Sequence, residues 1–269
     1  MRSPSGATFV DVSATTSLFD LSGHVALVTG GNSGIGLGMA DALAAHGASV
    51  AIWGTNPAKN AAAAEQLRAH GGSVLDLVCD VGDQEAVIAS MRATVEALGS
   101  VDSCFVNAGV GGKARSFAEM SDDEWHRVLR VNLDGAFYTA QEAVKQMIAQ
   151  GTGGSVVFTS SGSAHFGQQR GQHYAGSKGA VISMMKGIAV EHARYGIRCN
   201  AVMPGWVESE MTAPAQEWEK FNTAILQRTP TRRWGVPADF GPIAVYLACA
   251  ASNWHTGDVI TIDGGYYSF

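Results

Sequence analysis

The chain has 269 residues, 46% of them hydrophobic, and a formal net charge of -6. A chain of this length buries roughly 75% of its unfolded surface, so it needs neither disulfides nor a metal ion to fold. The acidic balance argues against nucleic acid or an anionic membrane as the main partner. The four cysteines and eight histidines are dispersed, which predicts reduced thiols and no metal site. No apolar run approaches the 18 residues of a membrane span, and we expect a cytoplasmic protein.

Short apolar runs alternate with amphipathic ones along most of the chain. Residues 1–20 lack the apolar core of a signal peptide and are predicted to be a flexible extension. Residues 21–269 show no break in composition, so we predict one domain there. The alternation predicts an α/β fold, a doubly wound Rossmann-type parallel sheet with helices on both faces. The predicted strands are 24–29, 49–53, 73–79, 101–106, 155–159, 197–203 and 258–262, and the predicted helices are 34–46, 57–70, 83–98, 121–150, 172–195 and 237–249.

Two of these assignments have particular consequences. Ser121 and Glu124 predict a capping box at the start of the long helix 121–150. Residues 205–230 interrupt the strand–helix alternation with a weakly patterned run. An insertion after the carboxyl end of a strand is where a substrate lid is expected. A surface excursion packed on a neighbouring subunit is the alternative.

The run TGGNSGIG at residues 29–36 follows the first strand and opens the first helix. Its glycine spacing differs from the usual G-x-G-x-x-G fingerprint. Glycines still allow close approach of the backbone to a pyrophosphate, and a helix N-terminus offers free N–H groups. The run therefore predicts a dinucleotide site, with a merely tight turn as the alternative. The predicted contacts are Gly30, Asn32, Ser33, Gly34, Ile35 and Gly36.

The end of the second strand bears on the choice of cofactor. Many dinucleotide sites place an acidic residue there to bind the adenosine ribose. The chain has Gly54, Thr55 and Asn56 instead, and its nearest cation is Lys59. A 2'-phosphate would not be repelled there, and Thr55 and Asn56 can donate hydrogen bonds to it. The sequence thus predicts NADP or NAD as cofactor, with NADP favoured.

Tyr174 and Lys178 lie four residues apart in YAGSK, so on a helix they share one face. Taken with the glycine turn, this motif and two others fall in an order that resembles the short-chain dehydrogenase/reductase family. The others are Asp80-Val81 after the third strand and Asn107-Ala108-Gly109 after the fourth. The resemblance covers about residues 21–267 and implies a seven-stranded sheet and a homo-oligomer, either a tetramer or a dimer.

The resemblance also implies the site residues. The catalytic set is Asn132 in VNLDG, Ser161 at 13 residues before the tyrosine, Tyr174 and Lys178. Two positions depart from the family pattern: Val106 replaces a frequent Asn, and Ser209 replaces a frequent Thr. The implied cofactor contacts are Asp80 and Val81 beside the adenine, Asn107, Ala108 and Gly109 along the cleft, Pro204 and Gly205, and Val207 and Ser209 near the nicotinamide amide.

By this resemblance Tyr174 is the acid/base that accompanies hydride transfer. A free phenol has a pKa near 10, too high for an efficient base at neutral pH. We expect the Lys178 ammonium and the positive charge of oxidised nicotinamide to lower that pKa by about three units, roughly 4 kcal/mol. Ser161 would hydrogen-bond the reacting oxygen, Lys178 would also bind the ribose hydroxyls, and Asn132 would hold a water that relays protons.

The predicted substrate pocket is aromatic and neutral-polar, with His165, Phe166, Gln168, His173 and Trp206 and the lid at residues 205–230. This favours a small-molecule alcohol or ketone such as a polyol, sugar or cyclic ketone. A 3-oxoacyl-(acyl carrier protein) reductase would want a basic rim, for which Arg232-Arg233 is the only adjacent pair of cations. A catalytically silent nucleotide-binding regulator is a further alternative. The C-terminal run ITIDGGYYSF is expected to be buried near a subunit interface.

Overall fold

Seven parallel strands form one sheet in the order β3-β2-β1-β4-β5-β6-β7 in the computed structural model, which describes residues 18–268. Strands β2 and β3 lie on one side of β1, and β4 pairs with β1 on its other side. This reversal creates a crevice at the carboxyl ends of β1 and β4. The strands are β1 Val25–Thr29, β2 Ser49–Gly54, β3 Val74–Val78, β4 Ser103–Val106, β5 Gly154–Thr159, β6 Ile197–Pro204 and β7 Val259–Ile262.

Helices cover both faces of the sheet because successive strand residues point to opposite sides. Val28 and Ile52 belong to one buried cluster, with residues of α1, α2 and α9. Leu27 and Ala51 belong to a second cluster, with residues of α3, α5 and α6. The predicted doubly wound fold in a single domain is confirmed. The helices are α1 Gly34–Ala45, α2 Pro57–Arg68, α3 Gln84–Leu98, α4 Asp122–Leu129, α5 Gly135–Gln150, α6 Gln172–His192, α7 Ala213–Glu217, α8 Glu219–Arg228 and α9 Gly241–Ala248.

The predicted helix 121–150 is three segments rather than one. Helix α4 ends at Leu129, a π-helical segment occupies Arg130–Asp134, and α5 follows. Ser121 Oγ accepts a hydrogen bond from the Glu124 N–H, as a helix cap does. The Glu124 carboxylate instead bonds to groups outside the helix start, so only half of the predicted capping box forms. A π-helical turn inside a helix often marks a functional site, and this one contains Asn132.

The predicted lid, residues 205–230, is ordered by aromatic packing on its own chain. Trp206 meets the rings of Phe221 and Trp234 edge-on, at centroid distances of 5.1 and 5.7 Å. Val207 pairs with Gly235 through a β-bridge, and α7 and α8 fill most of the remaining stretch. That the stretch acts as a lid stays a prediction, as do the domain boundaries. Residues 1–17 of the predicted extension lie outside the described residues.

All four cysteines are buried free thiols, at Cys79, Cys104, Cys199 and Cys249. Within residues 18–268, no helix is both long and apolar enough to cross a membrane. The same residues contain no cluster of His, Cys, Asp or Glu that could hold a metal ion.

Candidate functional site

A cleft of about 600 Å³ opens at the carboxyl ends of the strands, where the strand order reverses. Parallel α/β sheets bind ligands at this position. Most of the predicted cofactor and catalytic residues meet there, although they come from loops far apart in the sequence. Those in the cleft wall are Gly30, Asn32, Ser33, Gly34, Ile35, Gly54, Thr55, Asp80, Val81, Asn107, Ala108, Gly109, Ser161, Tyr174, Lys178, Pro204, Gly205, Val207 and Ser209.

The glycine turn brings bare backbone to the cleft. Gly30 and Gly34 have φ values of 65° and 52°, a region that side chains disfavour. Gly36 lies in helix α1, and a Cβ there would collide with the Gly30 carbonyl oxygen, so this glycine serves helix–strand packing. Ser33 caps α1 without a side-chain hydrogen bond, and the first turn carries no acidic residue. The exposed backbone and the uncapped N–H groups fit the pyrophosphate of a dinucleotide.

The end of β2 offers Thr55 to the cleft but not Asn56. The Asn56 side chain caps α2 by accepting a hydrogen bond from the Lys59 N–H at 3.1 Å, and it does not line the cleft. Asn32 Nδ2 donates to Asn60 Oδ1 at 2.6 Å, directly over Gly54. The Lys59 ammonium pairs with the Glu210 carboxylate at 2.6 Å, which joins α2 to the predicted lid. Of the two residues predicted to bind a 2'-phosphate, Thr55 lies in the cleft wall and Asn56 does not.

Hydrogen bonds fix two of the predicted cofactor-contact side chains, Asp80 and Asn107, in the cleft wall. Asp80 accepts bonds from the Gly82 N–H and from Arg130 Nη1, both at 2.9 Å. Asn107 Nδ2 donates to the Thr29 carbonyl, and Asn107 Oδ1 accepts from Thr159 Oγ1, both at 3.0 Å. Asn107 thus links the carboxyl ends of three adjacent strands, β1, β4 and β5, in the cleft wall.

Helix α6 places Tyr174 and Lys178 beside Ser161, which follows β5. Lys178 is only 5% exposed, and its ammonium donates to the Thr159 carbonyl at 2.8 Å. Burial lowers the Lys178 pKa to about 8. Burial also raises the Tyr174 pKa, and a hydrogen bond with Ser161 opposes that rise to a smaller extent. Burial thus shifts the Tyr174 pKa upward within the protein alone, whereas the sequence-based expectation is a lowering by Lys178 together with the positive charge of oxidised nicotinamide.

Asn132 lies behind the cleft wall rather than in it. Its side chain is 1% exposed, with Oδ1 accepting from the Val110 N–H at 2.8 Å and Nδ2 donating to the Val110 carbonyl at 3.0 Å. Nδ2 also approaches Ser177 Oγ at 3.3 Å. The amide thus holds the loop after β4 against α6. That Asn132 holds a relay water stays a prediction.

A second cavity of about 390 Å³ adjoins the cleft and shares Ser161 and Tyr174 with it. Phe166, Gln168 and Trp206 line it, as the sequence predicts for a substrate pocket.

Two histidines predicted for this pocket lie elsewhere. His165 is exposed and does not line the cavity. His173 is fully buried, and its Nε2 donates to Glu124 Oε1 at 3.0 Å. Neighbouring helix positions differ by about 100° in direction. His173 therefore faces the protein interior when Tyr174 faces the cavity. The Glu124 carboxylate also accepts a hydrogen bond from Arg127 Nε at 2.7 Å, and this bond lowers the Glu124 pKa to about 2. His173, Glu124 and Arg127 thus form a partly buried polar network behind the cavity.

Sequence reasoning did not place the C-terminal run in the cavity wall, but Tyr266 and Tyr267 line the cavity. The expectation that this run is buried near a subunit interface stays a prediction. Strand β7 pairs with β6, and this carries the tail past Gly205 at the end of β6. Only the sheet order reveals that proximity, since these segments are about 60 residues apart. The wall also contains Met211, Thr212, Ala215 and Arg228 of the predicted lid, and Gly111, Gly112, Gly162, Ser163 and Gly167, which were not predicted.

Comparison with known proteins gives consistent results. The family model described as enoyl-(acyl carrier protein) reductase matches residues 30–267. The chain is 36% identical to the sorbose reductase of Schizosaccharomyces pombe, over 94% of this chain and 99% of that one. It is 35% identical to the gluconate 5-dehydrogenase of Gluconobacter oxydans, over 92% and 96%.

Two solved structures superimpose closely. A short-chain type dehydrogenase/reductase from Mycobacterium marinum is 36% identical, covers 94% of this chain and 99% of its own, and has a TM-score of 0.89. A gluconate 5-dehydrogenase from Burkholderia cenocepacia, solved with NADP and tartrate, is 34% identical, with coverages of 95% and 99% and a TM-score of 0.90. The predicted oxidoreductase class and the cofactor, NADP or NAD, are confirmed. The chain belongs to the short-chain dehydrogenase/reductase family of NAD(P)-dependent oxidoreductases.

Proposed function

We propose that the chain interconverts a secondary alcohol and a ketone on a neutral polyol, sugar or cyclic ketone. One observation carries this proposal: Ser161 and Tyr174 lie where the dinucleotide cleft meets the second cavity. A substrate oxygen at that junction is within reach of both hydroxyls. The wall of the second cavity is aromatic and hydroxyl-bearing, and the relatives include a sorbose reductase and a gluconate dehydrogenase.

Each polar side chain at the junction has a proposed task. NADP or NAD, when bound, supplies or accepts the hydride. Tyr174 donates a proton to the ketone oxygen or removes one from the alcohol, and Ser161 holds that oxygen by a hydrogen bond. Lys178, whose ammonium lies 5.8 Å from the centre of the Tyr174 ring, favours the tyrosinate and binds the ribose hydroxyls. Asn132 fixes the cleft wall and holds the relay water.

NADP is the proposed preferred cofactor. The end of β2 has no carboxylate to repel a 2'-phosphate, and Thr55 faces the cleft. The half-exposed Lys59 is paired with Glu210, and we propose that its ammonium turns from that carboxylate to the phosphate. Fluorescence transfer from Trp53, which lines the cleft, to bound NADPH or NADH measures both affinities. Tighter binding of NADH would contradict the preference.

Activity assays separate the proposed substrates from a 3-oxoacyl thioester. Neither Arg232 nor Arg233 lines the second cavity, and Arg233 is held by Asp239 at 2.6 Å. A basic rim for an acyl carrier protein is therefore not formed by this pair. We expect saturable turnover with a ketohexose or a cyclic ketone. Saturable turnover with a 3-oxoacyl thioester alone would reject the proposal.

We further propose a cytoplasmic homo-oligomer, a tetramer or dimer. Trp125 on α4 and Phe137 and Ile148 on α5 are large apolar side chains with more than a third of their surface exposed. Exposed apolar groups on adjacent helices are typical of subunit contacts. The buried free thiols suit a reducing compartment. Sedimentation as a monomer at micromolar concentration, or recovery outside the cytoplasmic fraction, would contradict these two points respectively.

A further inference from the structure

The C-terminal tail forms one wall of the second cavity and is held there by its own turn. After β7, Asp263 Oδ2 accepts from the Tyr267 N–H at 2.7 Å, and Oδ1 accepts from the Gly265 N–H at 2.8 Å. Gly264 and Gly265 have φ values of 64° and 88°, which glycine adopts without strain. Tyr267 therefore occupies a defined position in the cavity wall.

The ring of Tyr267 is fixed from two sides. It stacks on Phe166 with centroids 4.9 Å apart and planes within 12°. Its hydroxyl end lies against Gly162, where an added Cβ would overlap the Tyr267 Cζ and Oη atoms. Gly162 directly follows Ser161, so the Tyr267 hydroxyl lies close to the proposed site of the reacting oxygen. A side chain at position 162 would displace the phenol.

The hydroxyl of Tyr267 is available to a ligand. Among residues 18–268 it makes no hydrogen bond, although the residue is half-buried and lines the cavity. Burial is the main cause that raises the Tyr267 pKa to about 12, with smaller contributions from Tyr266, Asp263 and Tyr174. At neutral pH the group therefore stays protonated and can both donate and accept a hydrogen bond.

We propose that Tyr267 is a specificity-determining residue whose hydroxyl binds a second hydroxyl group of a polyhydroxylated substrate, while Ser161 and Tyr174 hold the reacting oxygen. The inference rests on the proposed function and narrows its substrate class. The stacked rings of Tyr267 and Phe166 give the carbon chain an apolar surface. A monofunctional ketone can use that surface but leaves the Tyr267 hydroxyl without a partner, and an unpaired buried group carries a cost.

The variant Tyr267→Phe tests this because it keeps the ring stack and removes only the hydroxyl. The measurement is kcat/KM with NADPH for a ketohexose such as sorbose, divided by kcat/KM for cyclohexanone. We expect this ratio to fall about tenfold, the size of one neutral hydrogen bond. Gly162→Ala, which pushes the phenol aside, should lower the ratio in the same direction. Tyr195→Phe, on an exposed tyrosine that lines neither cavity, is the matched control and should keep the parent's ratio.

The outcomes distinguish this inference from the proposed function. A ratio equal to the parent's in both Tyr267→Phe and Gly162→Ala overturns the inference and leaves the proposed function standing. A parent enzyme that reduces cyclohexanone but no ketose likewise overturns the inference and leaves the proposed function standing. A parent that turns over a 3-oxoacyl thioester alone refutes the proposed function and overturns the inference with it.

Discussion

Removing the Lys178 ammonium should stabilise the fold while it abolishes turnover. The lysine pKa falls from its ordinary value of 10.5 to about 8 because the group is buried. At about 1.4 kcal/mol per unit, this lowering corresponds to about 3 kcal/mol of cost for keeping the ammonium in the folded state. Lys178→Met removes that cost, but it also removes the hydrogen bond to the Thr159 carbonyl. The loss of this bond offsets about 1 kcal/mol of the gain. We expect a net gain of about 2 kcal/mol in the free energy of unfolding at neutral pH.

The sign of the pH dependence follows from the lowered pKa. Below about pH 8 the lysine is protonated in both the folded and unfolded states, so the cost is fully present. As the pH rises from 8 to 10.5, the folded protein loses the proton first and the cost disappears. The advantage of Lys178→Met should therefore be largest near pH 7 and vanish toward pH 10. The Tyr174 pKa is raised above its ordinary value of 10, so that group bears on stability only above the pH range of this comparison.

Denaturant unfolding of the parent and Lys178→Met at several pH values measures this difference. Lys186→Met is the matched control, because Lys186 is an exposed lysine on the same helix. Its effect should be within about 0.5 kcal/mol and independent of pH between 7 and about 9. If Lys178→Met were less stable than the parent at every pH, burial of the ammonium would not be the cost described here.

Three further substitutions test other parts of the site. Gly36→Ala places a Cβ against the Gly30 carbonyl oxygen and so displaces the glycine turn, and NADPH affinity should fall at least about tenfold. An affinity equal to the parent's in fluorescence titration would refute the packing role of Gly36. Lys59→Ala should weaken NADPH binding by about tenfold and NADH binding by less than twofold, and equal losses for both cofactors would reject the 2'-phosphate contact. Asn132→Ala leaves the Val110 N–H and carbonyl without partners and should cost about 1–3 kcal/mol in chemical unfolding, whereas a wild-type midpoint would show that the amide does not hold this loop.

Hydrophobic patterning predicted the sheet because a parallel strand buried on both faces is a short, continuous apolar run. Val25–Thr29 is buried along its whole length, as the pattern requires. The same reasoning failed for residues 121–150. A single π-helical turn inserts about one extra residue into an otherwise helical run, and the five residues Arg130–Asp134 are too few to show a change of period.

Motif spacing predicted residues that reach the cleft through the backbone or through one helix face. Tyr174 and Lys178 are of this kind, since four residues along a helix fix their relation. The substrate cavity depends on contacts between distant segments, and there the prediction was incomplete. His173 points inward because Glu124 on another helix accepts a hydrogen bond from its Nε2–H, and Tyr267 enters the wall because β7 pairs with β6. Neither contact leaves a pattern in a single sequence.

The most direct test of the account follows the loss of NADPH absorbance with a ketohexose and with a cyclic ketone, for the parent and for Tyr174→Phe. We expect saturable turnover by the parent and a loss of at least about a thousandfold in Tyr174→Phe, with the NADPH dissociation constant changed by less than about twofold. Turnover by Tyr174→Phe within about tenfold of the parent would contradict the central assignment of Tyr174 as the proton donor.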